Sequence, residues 1–233
     1  MEIELFTKLL LAHLIGDFFL QPRKWVVNKS VNKWKSPYLA VHSAIHFFLI
    51  MLIFLDTSLW KAALFIAIIH FLIDGIKLTF QKSRPLFWFI ADQIAHIAVL
   101  FWAVHLFWEP LAIPGVTVQF WVVITGLLFL TFPAAFIMQN VLSIWNDEVL
   151  LKENSSLPGA GLYIGILERV LVFVSVLTGY LQVVGFLIAA KSVFRFSDLT
   201  REKDRKLTEY IIVGTLLSFL LAIAVALLVK KIL

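Results

Sequence analysis

Residues 59–108, LWKAALFIAIIHFLIDGIKLTFQKSRPLFWFIADQIAHIAVLFWAVHLFW, decide the fold. Two apolar runs, 59–79 and 86–108, flank the short polar turn Gln81–Pro85. A helix crossing a hydrocarbon core needs roughly 20 mostly apolar residues, and each run has that length. Two spans joined by so tight a turn must lie antiparallel. Each also carries a polar pair one helical turn apart: His70 and Asp74 in HFLID, Asp92 and His96 in DQIAH. Residues spaced i, i+4 share one face of a helix.

The rest of the chain agrees. Of 233 residues, 61% are hydrophobic and 15% charged, and the mean hydropathy is +0.94. Soluble domains are about 45–50% apolar and about 25% charged. Eight segments come near spanning length: 3–20, 38–56, 59–79, 86–108, 116–140, 161–180, 181–195 and 208–229. The seventh is short and Lys191 follows its apolar part, so seven or eight spans are expected. The fold class is an all-α polytopic membrane bundle. It is one integral domain, 1–233, with a metal-binding four-helix half at 1–108 and a C-terminal helical half at 116–233. Polar loops are expected at 21–37, 81–85, 109–115, 146–160 and 196–207. The first segment has acidic residues where a cleaved signal needs basic ones, and is read as the first membrane helix.

Lys and Arg cluster in loop 21–37 (Arg23, Lys24, Lys29, Lys33, Lys35), in the 81–85 turn (Lys82, Arg84) and in 196–207 (Arg201, Lys203, Arg205, Lys206). With eight spans all three loops fall on one side. By the positive-inside rule that side is the cytoplasm of a bacterial inner membrane, with both termini outside. The net charge of +5 belongs to those loops. No basic domain exists to bind nucleic acid, so membrane lipid is the expected partner. Without cysteine there are neither disulfides nor thiolate ligands.

The first four spans each hold one such pair: His13 and Asp17, His42 and His46, His70 and Asp74, Asp92 and His96. Because neighbouring spans alternate in direction, a common depth falls late in one helix and early in the next. The four pairs follow that alternation. His13, His46, His70 and His96 would form a deeper layer; Asp17, His42, Asp74 and Asp92 a shallower one. A hydrogen-bonded polar core or a proton relay is the alternative. Against it, a buried carboxylate in a membrane costs at least about 2.5–3.5 kcal/mol, and at this level the sequence offers only Lys77 as a counter-ion. Imidazole with carboxylate suits zinc, iron or manganese. Eight ligands exceed the four that zinc usually takes, so two divalent transition-metal ions are expected, zinc foremost. Asp17, Asp74 and Asp92 are the candidate catalytic groups. Arg23, Lys24, Lys77 and Arg84, with Gln21, are candidates for an anionic head group. His105 reads as an interfacial residue. In the C-terminal half, Glu168 and Arg169 are the main intramembrane charges, and a structural ion pair, with Lys191 as one partner for Glu168, is expected.

At AHLIGDFFLQ, HSAIH, HFLIDGIK and ADQIAH the chain resembles a bacterial membrane family known as domain of unknown function 3307. ERVLVF, GFLIAAKSVFRF and EYIIVGTLLSF resemble the C-terminal half that many members carry. The resemblance implies the architecture and no activity. In the style of its site, the chain is also similar to inner-membrane metal-dependent hydrolases.

The function expected from these residues is a dinuclear metal-dependent hydrolase acting on a lipid, or a lipid-linked or anionic ester or phosphoester, at the cytoplasmic leaflet. A di-iron oxidase or hydroxylase, a metal-ion transporter and a metal-stabilised structural protein are the other classes open. A transporter would place its ligands nearer the bilayer midplane, on interrupted helices.

Overall fold

The computed structural model describes residues 2–107, 116–143, 159–193 and 202–233, with the side chains of 202–207 excepted. Among these residues every regular element is helical. Six stretches are long and apolar enough to cross a membrane: Pro37–Phe54, Thr57–Phe80, Pro85–Leu106, Val118–Leu142, Ala160–Thr178 and Thr208–Ile232. The chain is thus a helical membrane protein. The other two expected spans are shorter: α1, Glu2–Phe18, has 17 residues, and Leu181–Val193 has 13.

The chain forms two compact units, and the boundary between residues 125 and 126 falls inside a helix. The first unit holds α1, α2 (Arg23–Asn32), α3 (Pro37–Phe54), α4 (Trp60–Phe80) and α5 (Pro85–Leu106). α1 packs against α3 and α5, and α4 packs against the same two, which closes a ring of four helices. Pro37 and Pro85 open α3 and α5, where a missing N–H costs nothing and φ is already helical. On α4 the residues Ala63, Ala67, His70 and Asp74 face inward, whereas Leu64, Ile68, Leu72 and Ile76 are exposed. Such an exposed apolar stripe on a 21-residue helix suits lipid, not water. One end of the ring is filled by Leu9, Ala12, Ile50, Phe54, Ala63, Ile66, Leu100 and Ala103. Lys8 is buried beside this core. It is held by Glu4 at 2.5 Å and lies under the Trp121 ring, 4.9 Å from its centroid.

Residues 21–37, expected to be a loop, fold instead into α2 and a single 3-10 turn, Lys33–Lys35. Low hydrophobicity hid this helix: RKWVVNKSVN sets a few valines among basic and amide residues, and only Lys29 in it is buried.

The second unit, from Gly126 onward, contains the end of α6 (Val118–Phe129), α7 (Phe132–Leu142), α8 (Ala160–Thr178), α9 (Leu181–Val193) and α10 (Glu202–Ile232). α8 packs along α10 and also meets α7 and α9. The expected single span 116–140 is interrupted at Leu130–Thr131, just before Pro133, which cannot donate a backbone hydrogen bond. Gly179, at φ 84°, makes the sharp link from α8 to α9 that a side chain would resist. The expected loop 196–207 ends early, since α10 is already helical at Glu202. Lys191 bonds Glu168 at 2.6 Å, an ion pair of the kind the sequence suggested. The 109–115 loop, most of 146–160, and Arg195 lie outside the described residues.

Candidate metal centre

Each helix of the ring aims its polar pair at the axis. All eight residues named from the sequence meet in one buried cluster. The rings of His13, His46, His70 and His96 form one layer. His46 and His70 are 3.9 Å apart between centroids, His70 and His96 4.0 Å, His13 and His96 5.1 Å. A small cavity opens beside these four rings, walled by Leu9, Ile50, Ile66, Val99 and Leu100. His42 stands over His46 and His70, with centroids 4.9 and 5.0 Å away. Gly16 makes the packing of α1 against His46 possible: a Cβ there would lie 2.6 Å from the ring's Nε2.

Asp17 is the hub. Its Oδ1 lies 3.1 Å from His46 Nε2, 3.3 Å from His42 Nε2 and 3.5 Å from His70 Nε2. Its Oδ2 lies 3.7 Å from His13 Nε2. One carboxylate oxygen offers about two lone-pair sites, too few for three imidazoles as ordinary hydrogen-bond donors. The spacings do match those between ligands of one cation. With bonds of about 2.0–2.1 Å, the edge of a tetrahedron is about 3.3–3.4 Å. In His13, Asp17, His46 and His70 every pair of ligand atoms lies within 4.8 Å, a three-histidine, one-carboxylate set.

Two further sets share members with the first: His42, His70 and Asp74, and Asp74, Asp92 and His96. In the last, His96 Nε2 and Asp92 Oδ1 are buried without a hydrogen-bond partner and face each other at 3.5 Å. Asp74 Oδ1 lies 3.6 Å from the same His96 nitrogen. Buried polar atoms are rarely left so, and two of them aimed at one point suit a shared cation.

The carboxylates are not as isolated as the sequence suggested. Lys77 bonds Asp92 Oδ2 at 2.8 Å, but a second ammonium also reaches the cluster: Lys29 of α2 bonds Asp74 Oδ2 at 2.7 Å. The expectation that Lys77 alone stood at this level is therefore corrected. The charge argument for a cation now rests mainly on Asp17, which has no lysine. In both lysine pairs Oδ2 takes the ammonium while Oδ1 stays turned to His96. Such pairing fixes the carboxylate's orientation without using up both oxygens.

Gln93 ties the halves together. Its amide nitrogen donates to Asp17 Oδ2 at 3.2 Å and to Asp92 Oδ2 at 3.3 Å, and its oxygen lies 3.3 Å from His13 Nε2. Gln21, expected at an anion-binding rim, instead contacts His42 Nε2 at 2.9 Å. Arg23, Lys24 and Arg84 are exposed, so of the four expected head-group residues Lys77 is the one bonded to the cluster. His105 is exposed near the far end of α5. Nothing in NKSVNKWK separates Lys29 from Lys33 or Lys35; its role follows from the chain folding back over the ring.

Trp34 shows how that fold-back is held. Its indole N–H donates to Thr79 Oγ1 at 2.8 Å, and its ring lies on Gly75, where a Cβ would collide with it. Gly75→Ala is therefore expected to displace the Trp34 ring and break its bond to Thr79, which would raise iodide quenching of Trp34 in a protein whose other seven tryptophans are replaced by phenylalanine. An unchanged quenching constant would contradict this packing.

No curated protein and no solved structure matches the chain. A family model described as "Protein of unknown function (DUF3307)" matches residues 5–141. The match takes in all four pairs and ends before the C-terminal motifs ERVLVF, GFLIAAKSVFRF and EYIIVGTLLSF. With more than half of its length matched, the chain belongs to this family of proteins of unknown function.

Proposed function

We propose that the protein is a metal-dependent membrane hydrolase with a dinuclear centre, acting on an anionic lipid or lipid-linked ester or phosphoester at the cytoplasmic leaflet of a bacterial inner membrane. The observation that carries this reading is the gathering of three carboxylates and five imidazoles at ligand-to-ligand distances, inside a helical ring that faces lipid. His13, Asp17, His46 and His70 would hold one ion, and Asp74, Asp92 and His96 the other. His42 and Gln93 would orient the set. Two bound zinc, iron or manganese ions would supply Lewis acidity and an activated water.

The chain's own residues account for the rest. Lys29 and Lys77 hold Asp74 and Asp92 by one oxygen each. The ammonium of Lys77 and the exposed Arg23, Lys24 and Arg84 attract an anionic head group to this end of the ring. Asp92, a ligand of the second ion through Oδ1 in this assignment, is the carboxylate whose loss should remove that ion and the hydrolysis it supports.

The test is turnover by protein reconstituted in lipid nanodiscs, loaded in turn with zinc, manganese or iron(II). The substrates are a panel of anionic glycerophospholipids and lipid-linked diphosphates. Hydrolysis with at least one metal, cut more than about 100-fold in Asp92→Asn, is the expected result. Bound metal with no hydrolysis of any panel member would sink the reading. A dioxygen-consuming reaction with iron would replace it with an oxidase.

A further inference from the structure

Segment 21–36 lies over the end of the ring where the polar cluster sits, and it is fastened there at several points. Gln21 reaches His42, Lys29 reaches Asp74, and Trp34 reaches Thr79. Ser36 bonds Asn28 within the segment at 2.7 Å, and Trp25 stacks on Tyr38. The opposite face of α2 is bare: Val27 is 54% exposed and Val31 73%, on the far side of the helix from Lys29. These valines lie among exposed lysines and arginines, a mixture that suits the boundary between headgroups and water.

Charge says which headgroups. Arg23, Lys24, Lys33, Lys35, Lys82 and Arg84 are all exposed at this end. No acidic residue occurs between Asp17 and Asp56, nor between Asp74 and Asp92. Six exposed cations, with no acid in 18–55 or 75–91 to offset them at the surface, are the complement of an anionic lipid surface.

We propose that residues 21–36 form a lid seated in an anionic headgroup layer, latched over the cluster by Lys29 on Asp74. The lipid here is the leaflet itself and not the substrate. The lid is tested without any metal, so the outcome stands apart from the hydrolase reading.

The natural chain contains no cysteine, so Val31→Cys gives one labelling position. An environment-sensitive fluorophore on it, in phosphatidylcholine vesicles with or without phosphatidylglycerol, reads the seating. The expected result is a blue shift and protection from iodide in the anionic vesicles only. High salt, or Arg23→Gln with Lys24→Gln, Lys33→Gln and Lys35→Gln, should abolish both. Equal spectra in neutral and anionic vesicles would overturn the seating. For the latch, Lys29→Met should raise the rate of thiol labelling of Ser36→Cys, which is 4% exposed in the closed segment, about tenfold, the factor one charge-assisted hydrogen bond supplies. Lys29→Arg should leave it near the parent rate. Should Lys29→Met not fold, Trp34→Phe removes the Thr79 bond and must raise the same rate. No increase in a folded variant would overturn the latch.

Discussion

Asp17→Ala is expected to abolish high-affinity divalent-metal binding, while Asp74→Ala weakens it and leaves part of the capacity. Asp17 alone among the three carboxylates has no lysine, and four histidine nitrogens lie between 3.1 and 3.7 Å from its oxygens. Removing it deletes the one charge shared by the His13, His46 and His70 ligands. Losing an outer-shell partner costs about 10- to 100-fold in affinity, and losing the hub ligand should exceed that. Asp74→Ala, in contrast, frees Lys29 and opens the second set while the first stays complete. Metal content of purified protein, followed by zinc titration, checks both. A wild type that takes up less than one equivalent of zinc, iron or manganese would remove the metal centre altogether. An Asp17→Ala variant binding as tightly as wild type would move the primary ion elsewhere.

The second large effect concerns stability, in the other unit. Arg169 is 3% exposed, and its guanidinium bonds two backbone carbonyls and a hydroxyl among the described residues. Its Nε donates to Leu130 O at 2.7 Å, one terminal nitrogen to Thr131 O at 3.2 Å and the other to Ser218 Oγ at 3.2 Å. These carbonyls sit where the helix breaks before Pro133, so the guanidinium satisfies acceptors at the interruption and ties α10 to it. Arg169→Met fills similar volume and removes three donors. Each acceptor stranded in a dry interior costs about 1–3 kcal/mol, so a loss of about 3 kcal/mol or more is expected. For a chain of this size that lowers the melting temperature by roughly 6–12 °C. Arg169→Lys, which can reach one carbonyl, should recover part of the loss. A melting temperature unchanged by Arg169→Met would show that the break needs no such support.

The two predictions differ in how far the sequence foretold them. The polar pairs were legible because a hydrocarbon surround makes every buried acid and imidazole conspicuous, and because i, i+4 spacing assigns each pair to one face. Alternating chain direction then put His13, His46, His70 and His96 at one depth. What could not be read was chemistry delivered from outside the ring. Lys29 looks like any basic loop residue until α2 folds back and carries it to Asp74. Glu168 bonds Lys191, a partner the sequence offers for it, but nothing in the sequence marks Arg169 as the group that turns to backbone carbonyls. The break that created those acceptors is a local failure of an apolar run, marked in sequence only by Pro133.

Gly16 carries a last consequence. Because no side chain separates its backbone from the His46 imidazole, there is nothing compressible between α1 and that ring. Any side chain at position 16 would therefore have to push aside the imidazole whose Nε2 lies 3.1 Å from Asp17 Oδ1, so the size of this one residue sets the register of hub and ring.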